Sequence, residues 1–159
     1  MKSKDLVLQA LLASIYVVLT LISSPLAYGP IQFRIAETLL ILVLLHPKHS
    51  IGILIGTLIA NVLGSPYALD WLVGTGASAL AIFFMIVLRK YRHLALWMPT
   101  LVNGPVIGWL IWFTTDGTVP FWPSALSVAF GEWVVTYVLG LLLWKPLTNN
   151  RALMEVLDA

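Results

Sequence analysis

The chain contains no cysteine, which removes disulfides, thiolate metal sites and cysteine nucleophiles from consideration. Charge is nearly as scarce: only 10% of residues are Asp, Glu, Lys or Arg, against about 25% in ordinary soluble domains. With 60% hydrophobic residues and a mean hydropathy of +0.95, the composition argues against a water-soluble fold and against a disordered chain alike. A formal net charge of +2 is too small to call for a nucleic-acid partner. The apolar residues run through the whole length, so a signal peptide followed by a soluble remainder does not describe the pattern. What remains is an all-α integral membrane protein.

A spanning helix needs about 20 mostly apolar residues to cover roughly 30 Å of hydrocarbon. Six segments are candidates, approximately 6–23, 33–45, 50–65, 71–88, 96–114 and 124–144. Breaker and turn residues separate them, among them Pro25, Gly29-Pro30, His46-Pro47, Pro66, Asp116-Gly117, Pro120 and Pro123. Separated only by short joints, these segments run from residue 6 to residue 144 of 159, which predicts a single membrane domain built as a compact six-helix bundle, with a short helical or frayed tail from Leu147 to Ala159. The second segment is the weakest. As an α-helix, Ile35–Leu45 reaches only about 17 Å, so either the chain already lies inside the membrane boundary from Tyr28 onward or this piece rests on the surface.

Basic residues orient the bundle. With six spans and both the N- and C-termini cytoplasmic, Lys2, Lys4, Lys48, Arg89, Lys90, Arg92, Lys145 and Arg151 fall inside and only Arg34 falls outside. A five-span arrangement with the N-terminus outside leaves seven basic residues in and two out. The excess of Lys and Arg on cytoplasmic loops therefore favours six spans.

Small residues recur every four positions at Gly52, Gly56, Ala60 and Gly64, again at Gly104 and Gly108, and at Ala10 and Ser14. Such stripes let helix backbones approach closely where lipid supplies no hydrophobic drive between helices. Internal packing accounts for the first two stripes. Ala10 and Ser14 either pack internally or face a partner protein.

The polar residues at membrane depth carry the functional reading, because a charge near the bilayer centre costs roughly 2.5–3.5 kcal/mol on insertion scales. Glu132 lies about eight residues into the sixth segment with no basic residue on its own helix at that depth, which points to function. Asn103 sits near the middle of the fifth segment, and Asn61 in the outer half of the third. Arg34 and Glu37, three apart, either contact a ligand or pair with each other. Gln32, Arg34, Glu37, Asn61, Asn103 and Glu132 converge in depth on the outer half of the bundle. Aromatic residues gather there too, Tyr28 among them. Tyr67, Trp112 and Trp122 read as interfacial belt residues, whereas Trp133 and Trp109 are deep enough to stack on a flat ligand.

The other ionisable groups have ordinary explanations. Asp70 reads as a helix N-cap, Asp116 belongs to an Asp-Gly turn, and Asp5, Glu155 and Asp158 are terminal and solvated. His46, His49 and His93 fall in cytoplasmic loops, and with no third ligand beside His46 and His49 no metal site is expected. There is no phosphate-binding loop and no clustered nucleophile, acid or metal motif, so neither an enzyme nor a cofactor is expected. The chain is also short for a self-sufficient carrier built from repeats.

The stretch Tyr28-Gly-Pro-Ile-Gln-Phe-Arg-Ile-Ala-Glu-Thr-Leu, preceded by Ile15-Tyr-Val-Val-Leu-Thr, resembles the QueT family. These proteins are queuosine-precursor transporters, substrate-binding S components of energy-coupling factor (ECF) transporters. The resemblance covers nearly the whole chain in length and span order, and its most specific part is Tyr28–Glu37. Two positions depart from the pattern: Ala36 stands where Ser is common, and Ser14 where a second Ala is common.

This resemblance implies a six-helix S-component fold in a bacterial cell membrane, with substrate held at the extracellular side. It implies a membrane coupling (T) subunit, docked on the first three helices through Ala10 and Ser14, and two cytoplasmic ATPase subunits. The implied substrate is a deazapurine, 7-aminomethyl-7-deazaguanine. Glu132 or Glu37 suits its guanine-like N–H edge, and the other carboxylate its cationic aminomethyl group. Asn103, Asn61 or Gln32 complete the polar edge, and Trp133 or Trp109 stacks on the ring. Arg34 would repel a cation and is assigned to orienting Glu37. Another water-soluble vitamin as substrate, a solitary carrier with Glu132 as proton relay, and a subunit that binds no small molecule are the competing readings.

Overall fold

The computed structural model describes residues 3–29 and 31–158. The expectations that rest on Lys2, Pro30, Ala159 and the side chain of Asp158 lie outside the described residues.

Helix α1 (Ser3–Ile22) is a nearly uninterrupted apolar run with Asp5 in its first turn, where a negative charge complements the helix dipole. It ends as Ser23 bonds back to the Leu19 carbonyl through Oγ and Pro25 enters a separate helical turn, Ser24–Ala27. Residues 31–34 lead through successive tight turns, in which Phe33, Arg34 and Ile35 each donate a backbone N–H to the carbonyl two residues earlier, into α2 (Ile35–Leu45), whose first six residues wind as a 3-10 helix and whose last five are α-helical. The looser rise of the 3-10 part stretches α2 to about 20 Å, rather than the 17 Å of a pure α-helix. Ala36, Leu40, Ile41 and Val43 are buried, so α2 lies inside the bundle and not on its surface.

Four helices follow: α3 (Ser50–Gly64), α4 (Asp70–Val87), α5 (Arg92–Thr114) and α6 (Phe121–Asn149). A terminal helix, α7 (Arg151–Asp158), folds back so that Leu153, Met154 and Leu157 cover Leu8, Leu12, Ile41 and Leu42. The described residues contain no strand. By length and apolarity α1, α4, α5 and α6 can each cross a membrane, whereas the expected second and third spans are shorter helices. The apolar side chains of Val7, Ile22, Val62, Leu72, Leu126 and Leu142 lie on the outer surface.

Two helix starts come earlier than the sequence suggests. Helix α6 begins at Phe121 and carries Pro123 inside its first turn, where the missing N–H costs nothing. Helix α5 likewise begins at Arg92, before the continuous apolar run. Within α6, residues Trp133–Leu139 form a π-helix, a wider turn that inserts extra backbone into an otherwise α-helical span.

The glycine stripes set the packing. A Cβ added at Gly52 would lie 2.5 Å from the Gln9 carbonyl oxygen, and one at Gly56 would lie 2.8 Å from Tyr16 Cβ, so α3 rests directly on the α1 backbone. Gly104 and Gly108 admit Ala129 and Ala125 of α6 against α5 in the same way, at 2.8 and 2.6 Å. These close approaches draw α1, α3, α5 and α6 together around the polar residues described next.

Candidate functional site

The segment 31–34 before α2 brings Arg34 into the bundle. Its guanidinium is buried and shared between two carboxylates: Nη1 lies 3.6 Å from Glu37 Oε1, and Nη2 lies 3.8 Å from Asp70 Oδ2 on α4. At these lengths the contacts are ion pairs and not hydrogen bonds. The Tyr28 ring packs under the same guanidinium, 5.4 Å from centroid to Cζ, within range of a cation–π interaction. Glu37 also accepts a 2.6 Å hydrogen bond from the Tyr16 hydroxyl on α1. Tyr16 and Glu37 are both essentially inaccessible, at 0% and 1% exposure.

Glu132 approaches from α6. It is buried, and its Oε1 accepts a 3.0 Å hydrogen bond from Asn103 Nδ2 on α5. Electrostatically it interacts with both Glu37 and Arg34. Gly131 makes this proximity possible, because any Cβ there would sit 2.5 Å from the Gln32 carbonyl oxygen. The backbone of Gln32 and Phe33 therefore lies directly on α6 one residue before Glu132, and Gln32 is buried at that contact. The π-helix begins at the next residue, a distortion frequent at functional sites. Thr136 Oγ1 donates to the Glu132 carbonyl at 2.7 Å, satisfying an oxygen at the start of the widened turn.

Asn61 ties α3 to the start of α4. Its Nδ2 donates to the Asp70 carbonyl at 3.3 Å and to Thr75 Oγ1 at 3.2 Å. Tyr28 donates its hydroxyl to the Ala60 carbonyl at 2.8 Å and has Asn61 Oδ1 at 3.5 Å. A cavity of about 390 Å³ opens beside Tyr28, lined also by Gly29, Tyr67, Ser124 and Ser127.

Several buried polar atoms in this cluster have no hydrogen-bond partner within the protein: Arg34 Nε, Glu37 Oε2, Asp70 Oδ1, Asn103 Oδ1 and Glu132 Oε2. Leaving such groups unsatisfied costs about 1–3 kcal/mol each, so their concentration in one place marks a site for a polar ligand. Two of the three carboxylic acids pair with the one guanidinium. Glu37 and Asp70 share Arg34, and Glu132 has only the neutral Asn103, which suits a ligand carrying N–H donors or positive charge.

Three residues lie otherwise than the sequence suggests: Asp70, Trp109 and Tyr16. Asp70 is not the N-cap of α4; Leu69 holds that position without a side-chain bond, and Asp70 turns inward to Arg34. Trp109 lies away from the carboxylate cluster. Gly108 faces α6, so the next residue is turned about 100° outward; Trp109 is 42% exposed and stacks on Phe113 at 5.2 Å. Tyr16 was missed, because a tyrosine within an apolar helix carries no signal of its own until its partner across the bundle is known. Trp133 has ring contacts with Trp97, Phe130 and Tyr137, an aromatic row to one side of the carboxylates. Ala10 and Ser14 are exposed on α1, with Ser14 Oγ bonded to the Ala10 carbonyl at 2.8 Å. Among the described residues no group of His, Asp and Glu is arranged to hold a metal ion.

An apolar multi-helix bundle enclosing a compact set of buried charged and amide groups is the architecture of a membrane protein that handles a small polar solute. The chain belongs to the QueT transporter family, whose family model, described as QueT transporter, matches residues 6–149. It is 38% identical over 133 residues to a protein named queuosine precursor transporter QueT from Lactococcus lactis subsp. cremoris (strain MG1363), covering 81% of this chain and 75% of that relative. No solved structure matches significantly. Membership of this family, together with the apolar helices, makes the chain a multi-pass protein of a bacterial cell membrane.

Proposed function

We propose that the protein is the substrate-binding subunit of an ECF-type uptake transporter for a queuosine precursor, 7-aminomethyl-7-deazaguanine. The observation that carries this reading is Glu132: buried, held by Asn103 through one oxygen, with the other oxygen unpartnered beside the Arg34–Glu37–Asp70 cluster. A carboxylate so placed accepts the N–H edge of a guanine-like ring or the cationic aminomethyl group in a charge-assisted pair. Glu37 takes the other role, oriented by Arg34 and Tyr16. Asn103, Asn61 and Gln32 are the candidate amide contacts, with Tyr28 and Trp133 as aromatic neighbours. The cavity beside Tyr28 is the mouth through which substrate enters.

In this reading the chain is one membrane domain crossing six times, with both termini cytoplasmic, and α2 and α3 complete their passes with help from flanking segments. The energy comes from a membrane coupling subunit and two cytoplasmic ATPases, and the chain itself catalyses no reaction. Titration of the detergent-purified chain with the precursor tests the site. Glu132→Gln should weaken binding at least tenfold, about 1.4 kcal/mol. Unchanged affinity removes Glu132 from the site. A thermal-shift panel of deazapurines and water-soluble vitamins tests the substrate, since stabilisation by a vitamin alone would replace the deazapurine.

A further inference from the structure

At the opposite end of the bundle from Tyr28, the turn joining α4 to α5 forms a second pocket of about 580 Å³, lined by Arg89, Lys90, Tyr91, Arg92, His93 and Trp144. Among the described residues no acid pairs with Arg89, Lys90 or Arg92. Arg92 instead lies over the Trp144 ring, with Cζ 5.0 Å from the centroid, and its Nε is buried without a partner. That contact holds the guanidinium at the pocket wall. Arg89 and Lys90 stand exposed at the rim. The pocket also sits at the start of α5, whose first amides an α-helix leaves without intrahelical partners. Below it, Leu94, Trp97 and Leu101 form an exposed apolar strip down α5.

We infer that this pocket binds the phosphate headgroup of an anionic phospholipid, with the acyl chains lying along the α5 strip. The shared chemistry is a phosphate oxyanion, and the apolar strip distinguishes a lipid from free phosphate, since a free ion has no use for it. Basic pockets between membrane helices, with Trp at the interface, are suited to acidic headgroups. The site lies apart from the carboxylate cluster and does not depend on which solute that cluster holds.

Native mass spectrometry of the purified full-length chain with phosphatidylglycerol and phosphatidylcholine tests this. Phosphatidylglycerol should be retained preferentially, and Arg89→Gln/Lys90→Gln should weaken its retention by about fivefold for each charge removed. Both side chains are exposed, so the fold should be unaffected, which an unchanged melting temperature in phosphatidylcholine micelles would verify. Adding Arg92→Gln should reduce retention to the phosphatidylcholine level. Equal retention of the two lipids, or retention unaltered in the double variant, would overturn the assignment. Displacement of phosphatidylglycerol by millimolar inorganic phosphate would also overturn it, in favour of a free-phosphate site.

Discussion

The Tyr16 hydroxyl of α1 donates to Glu37 of α2 across 2.6 Å, joining the first two helices through a bond that water does not reach. The same carboxylate faces Arg34, so the tyrosine fixes one oxygen and leaves Oε2 unpartnered. Tyr16→Phe removes one hydroxyl and preserves the ring. The expected loss is about 1–3 kcal/mol of stability, from stranding a buried acceptor, with weaker ligand binding as Glu37 loses its fixed orientation. Thermal unfolding and ligand titration on the same variant check both effects; a stable variant with full affinity would mean that Arg34 alone orients Glu37.

Gly56 sits where α3 touches α1, with a hypothetical Cβ 2.8 Å from Tyr16 Cβ and 2.9 Å from the Ala13 carbonyl oxygen. Gly56→Val must push the two helices apart, at an overpacking cost of about 1–3 kcal/mol or more. Because Tyr16 is part of the contact, affinity should fall together with melting temperature. By contrast, Gly76 has open space around it inside α4, and Gly76→Ala should leave affinity unchanged and the melting temperature equal or higher, since Ala favours the helix.

Ala10 and Ser14 offer a small-residue surface on the outer side of α1. Ala10→Trp should abolish co-purification with the proposed coupling subunit and ATPases while leaving ligand affinity within about twofold, since the exposed Ala10 lies outside the polar cluster. A variant that still co-purifies would remove this surface from the docking interface.

The absence of native cysteine makes topology directly measurable. Thr118 and Lys90 are both exposed, in the turns at opposite ends of α5. In intact cells an impermeant maleimide should label Thr118→Cys and leave Lys90→Cys unreacted until the membrane is opened. The reverse pattern would invert the orientation proposed above.

What could be read from the sequence followed from contrast. Glu132 and Asn103 stand out as polar groups in apolar runs, and the glycine stripes are visible by spacing alone. Asp70 was hidden because an acid at the start of a helix has a sufficient local explanation; only the path of residues 31–34 brings Arg34 within 3.8 Å of it. Trp109 misled because depth along a helix is legible while phase around it is not, until the facing helix is known. The 3-10 winding of α2 and the π-helix in α6 have no composition signature, being outcomes of how neighbouring helices meet.

The widened turn from Trp133 to Leu139 gives residue count a role of its own. Above it, α6 aims Glu132 at Asn103; below it, the helix resumes at Gly140 with its phase offset by the extra backbone. Deleting one apolar residue from this stretch while leaving every other side chain as it is would rotate one half of the span against the other by about 100°. Hydropathy would be almost untouched, yet the carboxylate and the lower packing face could not both be in register. In this helix the alignment of the site is encoded in a number of residues rather than in their kind.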